Sequence, residues 1–378
     1  MRIRAAVLRH PSRPVEVEEV ELDPPKAREV LVRIAAAGVC HSDVRHADGD
    51  LGPGKWPAVM GHEGAGVVEA VGDEITHVAP GDHVALCFVP ACRACRYCLA
   101  GKPNLCAVVS EHGARGMLMD GTSRLRLPDG TALQHGLRTA CFAERAVVAA
   151  GGAVRIPPEL PLWQAALLGC GVVTGMGAVR NAANVQAGQA VVVLGCGGVG
   201  LQVIGAARLA GANPIVAVDR VPEKLELARA LGATQVVDAA LEVDVAATIC
   251  RLTDGGADVA FEVIGRPETI RLAWDTIRRG GTAVVVGLVP DGVEATVPAI
   301  EFLSDKSLVG TYYGSGDPAA ELPGLAELAL TGALDLASVV THIDGLDGVE
   351  AALDRLRRGE GARTVLVVDP ALAGHAAE

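Results

Sequence analysis

Eight residues with metal-binding chemistry fall into two groups of very different spacing. Cys92, Cys95, Cys98 and Cys106 read C-x2-C-x2-C-x7-C, and four thiolates packed this tightly suit one tetrahedral zinc with no open coordination position. Such a closed site holds a loop together and does not turn over substrate. Iron–sulfur binding uses the same opening spacing, but here the fourth cysteine comes late and lacks the usual following proline. The second group is dispersed. His62 and Glu63 stand between Gly61 and Gly64, offering an imidazole and a carboxylate in one short turn. Cys40 lies 22 residues before His62, and Cys170 lies 108 after it. Spacing alone does not bring these together, and a cysteine in a Gly-Cys-Gly setting is more often a packing residue.

A third stretch carries phosphate-binding chemistry. Val191–Leu194 is a continuous apolar run of the kind buried on both faces of a parallel sheet. Gly195, Gly197 and Gly200 follow in G-x-G-x-x-G spacing, with Gly198 and Val199 between them. Gly195 permits the tight turn, Gly197 lets backbone approach a pyrophosphate, and Gly200 lets the next helix pack close to the strand. The free N–H groups and positive end of that helix then face the phosphates. A second apolar run, Ile215–Val218, ends in Asp219, 19 residues after Gly200. Its carboxylate can accept both ribose hydroxyls of an adenosine and disfavours a 2′-phosphate, so NAD is expected over NADP. Arg220 beside it weakens that preference. Strand, helix, second strand and spaced acid together point to a dinucleotide, where the glycines alone would not.

The elements that position these groups can be outlined from pattern. The 378 residues, half of them apolar and few aromatic, are enough for two domains with sizeable cores of Ala, Val and Leu. A net charge of −12 argues against nucleic acid or an anionic membrane as main partner. No run of 18 or more uncharged apolar residues occurs, and Arg2, Arg4 and Arg9 interrupt the opening segment. The expected compartment is the cytoplasm, and the ten cysteines are read as ligands or buried thiols, not disulfides.

Up to residue 37, Val15, Val17 and Val20, then Val30, Val32 and Ile34, alternate as in strands with one solvated face. A short helix is expected to carry Cys40, His41, Ser42 and Asp43. Residues 107–137 show no sustained period and are expected to form a long loop over a subunit contact or a pocket. From about residue 172 strand–helix units repeat. Val191–Leu194, Ile215–Val218, Gln235–Val237, Val259–Val263, Ala283–Gly287 and Ser307–Gly310 are six expected strands of a doubly wound parallel sheet. After Tyr313, two helices and a lone strand, Thr364–Val368, are expected, the strand rejoining the first sheet. The expected division is a discontinuous catalytic domain, residues 1–171 and 313–378, with a nucleotide domain, residues 172–312, inserted.

GVCHSD, GHEGAGVVEAVG, CRACRYCLAGKPNLC, DGTSR, GCGVVTGMGAV, VLGCGGVGLQVI, FEVIGR and ART occur in that order. Through them the chain, from about residue 3 to 368, resembles the zinc-dependent alcohol dehydrogenases of the medium-chain dehydrogenase/reductase superfamily. The resemblance implies an α/β protein with a GroES-like β-rich catalytic domain and a six-stranded Rossmann domain. It implies two zinc ions per subunit. Cys40, His62 and Cys170 match the ligands of a catalytic zinc whose fourth position takes water or substrate. Glu63 matches a carboxylate that can transiently coordinate the metal, and Asp43 an acid that orients His62. Cys92, Cys95, Cys98 and Cys106 match the structural zinc. Cys170, standing where relatives of the polyol branch have a carboxylate, places the chain nearer the alcohol branch.

The implied reaction is hydride transfer from an alcohol to the nicotinamide of NAD, giving an aldehyde or ketone. Ser42 matches the hydroxyl that passes the proton on through the cofactor ribose. The family's usual relay histidine falls at Arg45, and an arginine is no base near neutral pH. Either His46 substitutes or water does; His46 as an ordinary surface histidine stays open. His41 and Arg363 match basic residues facing the pyrophosphate. Thr174 and Val199 match residues backing the nicotinamide, and Lys224 one near the adenosine ribose. Val286 and Leu288 complete the expected cofactor contacts. Phe88, Leu137, Leu288 and Trp56 match an apolar substrate pocket suited to alcohols with hydrophobic tails.

Two other readings share these residues. A formaldehyde dehydrogenase acting on a thiol adduct has the same architecture, but its glutathione-dependent class carries an arginine where this chain has Ser110, with Arg115 further along. A non-enzymatic zinc- and NAD-binding structural protein would typically have lost ligands that are present here. The resemblance also implies a homodimer joined through its nucleotide domains.

Overall fold

Alanine-rich and β-branched runs form β1 (Arg2–Leu8), β2 (Glu16–Leu22) and β3 (Glu29–Val39), then β4 (Ala58–Val59), β5 (Glu63–Val71) and β6 (His83–Leu86). β7 (Leu125–Arg126), β8 (Ala132–His135), β9 (Arg145–Ala149) and β10 (Ala153–Arg155) follow. The structure, a computed structural model, describes residues 1–11, 13–52, 56–113 and 115–374. The chain divides into two units: Met1–Cys170 with the segment from Gly316 onward, and Gly171–Ser315.

In the first unit β1, β2, β7, β8 and β4 close a small barrel. Ile3, Val20, Leu22, Leu118, Leu125, Leu127 and Leu133 are buried in its core cluster. Residues 107–137 therefore depart from the expected loop: they hold a helix, Ala107–Gly113, and the strands β7 and β8. Strands of two and four residues are too short to show a period. What orders the segment is its four buried leucines and Arg124. That guanidinium donates to Glu29 Oε1 at 2.5 Å, Glu29 Oε2 at 2.8 Å and Asp120 at 2.7 Å.

The second unit contains β11 (Val191–Leu194), β12 (Ile215–Asp219), β13 (Gln235–Asp238), β14 (Ala257–Glu262), β15 (Ile277–Val285) and β16 (Ser307–Gly310). They pair in parallel in the order β13-β12-β11-β14-β15-β16. All six expected strands are present. The order reverses between β11 and β14, the switch point at which doubly wound sheets bind ligands. β11 is buried along its whole length, which is why it reads as an unbroken apolar run.

The chain then completes the first unit with β17 (Val340–Gly345) and β18 (Arg363–Val367). β18 runs antiparallel to β3 and parallel to β17. The resulting sheet has the order β10-β6-β5-β3-β18-β17, with β9 also on β3. The last strand rejoins the first sheet, but with β17 beside it and not alone. β17 reads VTHIDG, a half-polar run with alternating partial burial, and such an edge strand looks like loop.

His135, 1 % exposed at the end of β8, accepts the Arg124 backbone N–H through Nε2 at 3.1 Å. Burial, then the Arg124 charge, pushes its pKa down to about 3. The unfolded chain binds this proton near pH 6.5, so folded stability is lost as pH falls below that value, by about 2 kcal/mol at pH 5. Replacing His135 with Gln, which keeps an acceptor but cannot titrate, is expected to reduce the stability difference between pH 7 and pH 5 by that amount. Urea unfolding at the two pH values measures it; an unaltered difference contradicts a neutral buried imidazole.

Candidate metal centre and nucleotide turn

β3 ends at Val39. Its register pairs Gly38 with Glu63 of β5 on one side and Val39 with Thr364 of β18 on the other. Three strand ends meet, and the residues at or just beyond them, Cys40, His62, Glu63 and Arg363, are set side by side. Cys170 follows the helical turn Ala166–Gly169, which packs on β5. One donor atom each from Cys40, His62, Glu63 and Cys170 lies within 4.8 Å of all the others, and all four residues are buried.

Asp43 organises two of them. Its Oδ2 accepts the Cys40 backbone N–H at 3.0 Å, and its Oδ1 lies 3.0 Å from His62 Nδ1. A proton held on Nδ1 leaves Nε2 as a lone-pair donor aimed into the group. That Nε2 is buried and has no partner, as has Glu63 Oε2. Glu63 Oε1 accepts from Arg363 Nη2 at 3.0 Å, while Arg363 Nη1 donates to Val39 O at 3.2 Å.

The Cys40 thiol is held well below its usual range by the hydrogen bond from Cys170, against burial and with help from His62 and Arg363. Cys170 is pushed well above that range by the same bond and by burial. Burial lowers the His62 pKa, but Asp43 outweighs it and leaves it well above the usual imidazole value. Burial pushes Glu63 up to about 7 even with Arg363 beside it. Two sulfurs, an imidazole nitrogen and a carboxylate oxygen converge here, a donor set that could hold a zinc ion, whose charge would ionise both sulfurs.

The second cluster is Cys92, Cys95, Cys98 and Cys106, again with donor atoms within 4.8 Å of one another. The Cys92 and Cys95 backbone N–H groups donate to Cys106 Sγ and Cys92 Sγ, each at 3.3 Å. N–H groups aimed at sulfur favour thiolates, and those from Cys98 and Ala107 pull Cys95 down to about 6. Four cysteines with no fifth donor make a closed site.

In the second unit Gly195 has φ +100°, and a Cβ there would meet Ile264 Cγ1 at 2.7 Å; one on Gly200 would run into the Gly195 carbonyl oxygen. At Gly197 nothing lies within 4 Å of where a Cβ would stand, so the turn is open at the point where a phosphate would approach. The helix Gly198–Leu209 starts there. Asp219 Oδ2 accepts from the Cys196 backbone N–H at 2.7 Å, and Oδ1 from Arg220 and Val221 at 2.7 and 3.0 Å.

The remaining expected residues are placed as follows. His41 is exposed at the start of helix His41–Ala47; Ser42 is half-buried, with its Oγ 3.8 Å from Cys40 Sγ. His46 is only 4 % exposed, so it is not a surface histidine, and it shares a helix face with Ser42 at i, i+4. Arg45 donates to Asp50 at 2.6 Å. Arg363, at the start of β18, is buried with its guanidinium on Glu63. Phe88 is buried edge-on to the His62 ring, centroids 5.3 Å apart, and Leu137 is half-buried. Trp56 is engaged edge-on with His10 at 5.4 Å and packs on the hydrophobic core. Thr174, Gly198, Val199, Lys224 and Val286 are half-buried in the second unit, where Arg220 and Leu288 are exposed.

Residues 26–158 match the alcohol dehydrogenase GroES-like domain and residues 198–331 the zinc-binding dehydrogenase domain. The chain is 40% identical over 368 residues to an S-(hydroxymethyl)glutathione dehydrogenase of Photobacterium damsela subsp. piscicida, covering 97% of this chain and 100% of that one. The chain belongs to the zinc-dependent alcohol dehydrogenase family. Two solved structures are similar over 97% of this chain and 99% of theirs. They are an alcohol dehydrogenase zinc-binding domain protein of Burkholderia ambifaria (35% identity, TM-score 0.92) and the benzyl alcohol dehydrogenase of Acinetobacter calcoaceticus (32%, 0.91). As a member of this family the chain is an alcohol dehydrogenase-type oxidoreductase.

Sequence reading missed two contributions to the dehydrogenase site. The Glu63–Arg363 pair depends on strand register, which no motif carries. In the segment Gly136–Phe142, which runs beside Met60 and Gly61, only Leu137 is expected, because the run has no periodic signal. For the His62 ligand the structure yields a direct test. Asp43→Asn is expected to weaken metal binding at the Cys40–His62–Cys170 group by about 10- to 100-fold, read by competition with a chromogenic chelator. Unchanged affinity would show that Asp43 does not orient the imidazole.

Proposed function

We propose that this dehydrogenase interconverts a primary or secondary alcohol bearing an apolar tail with its aldehyde or ketone, using NAD. The observation that carries the reading is the buried group of Cys40, His62 and Cys170, with an unpartnered His62 Nε2 and Glu63 alongside. Bound there, a zinc ion would supply Lewis acidity toward the substrate oxygen, and NAD would supply the hydride acceptor. Cys40, His62 and Cys170 hold the ion, and Asp43 fixes the His62 tautomer. Glu63, tied through one oxygen to Arg363, keeps the other free as a reserve donor. The four-cysteine lobe holds a second, structural zinc.

Ser42 takes the substrate hydroxyl proton, and His46, on the same helix face, is the base beyond it. Arg45 is permanently protonated and committed to Asp50. The open Gly197 turn accepts the pyrophosphate on backbone N–H groups, helped by His41. Asp219 binds the adenosine ribose, with Lys224 nearby, and its charge rejects a 2′-phosphate. Thr174, Val199, Val286 and Leu288 line the nicotinamide side, and Phe88 and Leu137 give the substrate site its apolar character.

The quaternary proposal is a cytoplasmic homodimer. β16 is an edge strand with one open side, and Ile300 (72 % exposed) and Leu303 (82 %) stand beside it in sequence, a combination that favours pairing with a second copy. Ten free thiols fit a reducing compartment. A thiol-adduct formaldehyde dehydrogenase is the second reading, favoured by the name of the 40% identical relative. Ser110, exposed, stands where glutathione recognition would need a cation, and Arg115, also exposed, lies further along. Formaldehyde turnover that depends strictly on added thiol would replace the first reading with the second.

Cys170→Ala is expected to retain the lobe zinc and NAD binding while losing alcohol oxidation by at least a hundredfold; unchanged turnover refutes its role. Asp219→Gly is expected to lower kcat/KM with NAD and raise it with NADP, shifting their ratio tenfold or more. An unmoved ratio would show that the carboxylate does not select the cofactor.

A further inference from the structure

Residues Gly136 to Phe142 form a strained segment that contacts the neighbours of the candidate ligand His62 in two places. Leu137, Arg138 and Ala140 have φ of +45°, +68° and +55°, a left-handed conformation that side chains with a Cβ rarely adopt and that the surroundings must enforce. On one side the Cys141 and Phe142 backbone N–H groups donate to Gly61 O at 3.2 Å and Met60 O at 2.9 Å. This pins the turn that leads into His62. Gly61 itself has φ +94° and packs against Phe142 so closely that a Cβ would collide with the ring.

On the other side Arg138 reaches Phe88. Its Nε donates to Phe88 O at 2.8 Å, and its guanidinium carbon lies 5.6 Å from the centre of the Phe88 ring. The Phe88 ring in turn stands edge-on to His62, at 89° and 5.3 Å between centroids. The imidazole is therefore fixed by Asp43 at its edge and by Phe88 against its ring. Arg138 holds Phe88 by both backbone and ring, and a buried aromatic held at two points cannot tilt independently.

We propose that Arg138 is a positioning residue of the dehydrogenase: acting through Phe88, it sets the His62 ligand and the apolar wall that orients the alcohol. This rests on the reading of Cys40, His62 and Cys170 as the catalytic metal site. Arg138 itself stands in the left-handed run, between the core residues Ala140, Cys141 and Phe142 and the Phe88 carbonyl to which it donates.

The test uses the purified holoenzyme and four forms: wild type, Arg138→Met, Arg138→Lys and Phe88→Leu, with the Arg138→Met/Phe88→Leu pair as a fifth. Two readouts are taken: the rate at which a chromogenic chelator removes each zinc, and the ratio of kcat/KM for benzyl alcohol to that for ethanol. Arg138→Met is expected to release the zinc of the Cys40 site about tenfold faster, leave the lobe zinc unchanged, and lower the substrate ratio about tenfold. Arg138→Lys, which keeps a cation near the ring, is expected to recover part of both effects. Because Arg138 acts through Phe88, the double variant is expected to resemble Phe88→Leu alone. Unchanged release and ratio in Arg138→Met and Arg138→Lys overturn the proposal, as does strict additivity in the double variant. A wild type with zinc only in the lobe would instead refute the metal-site reading itself, which separates the two failures.

Discussion

Everything in the first unit answers to one constraint: two thiols, an imidazole, a carboxylate and a guanidinium are buried together. Removing ionised groups from water costs several kcal/mol each unless partners of opposite charge meet them. Asp43 meets His62, and Arg363 meets Glu63. His62 Nε2 and Glu63 Oε2 are left without partners beside two sulfurs, and a divalent cation is the kind of group that could meet all four. The fold makes the convergence unavoidable. With Gly38 opposite Glu63 and Val39 opposite Thr364, Cys40 and Arg363 cannot be anywhere else.

The second unit is governed by a different economy, one of absent atoms. Gly200 must lack a Cβ for the helix to lie on β11, and Gly197 lacks one where the turn faces open space. Asp219 is clamped by three backbone N–H groups, so its carboxylate is fixed before any ligand arrives. The candidate metal donors lie wholly in the first unit and the glycine turn wholly in the second.

Legibility in the sequence followed locality. The four-cysteine lobe can be read directly because its ligands fall within 15 residues. β11, β12 and β14 can be read because parallel strands buried on both faces are short apolar runs. The dispersed site could be assembled only through resemblance to a family, since Cys40, His62 and Cys170 are joined by register and not by spacing. β7, β8 and β17 are too short or too polar to show a period. Arg363 illustrates the same limit. Strand pairing sets it beside Glu63, and only coordinates carry that information.

The most direct measurement is anomalous diffraction at the zinc absorption edge from crystals of the purified protein. Two peaks per chain are expected, one among the sulfurs of Cys92, Cys95, Cys98 and Cys106, the other between Cys40 Sγ, Cys170 Sγ and His62 Nε2. A peak in the lobe alone, with the buried group binding no metal, would contradict the account.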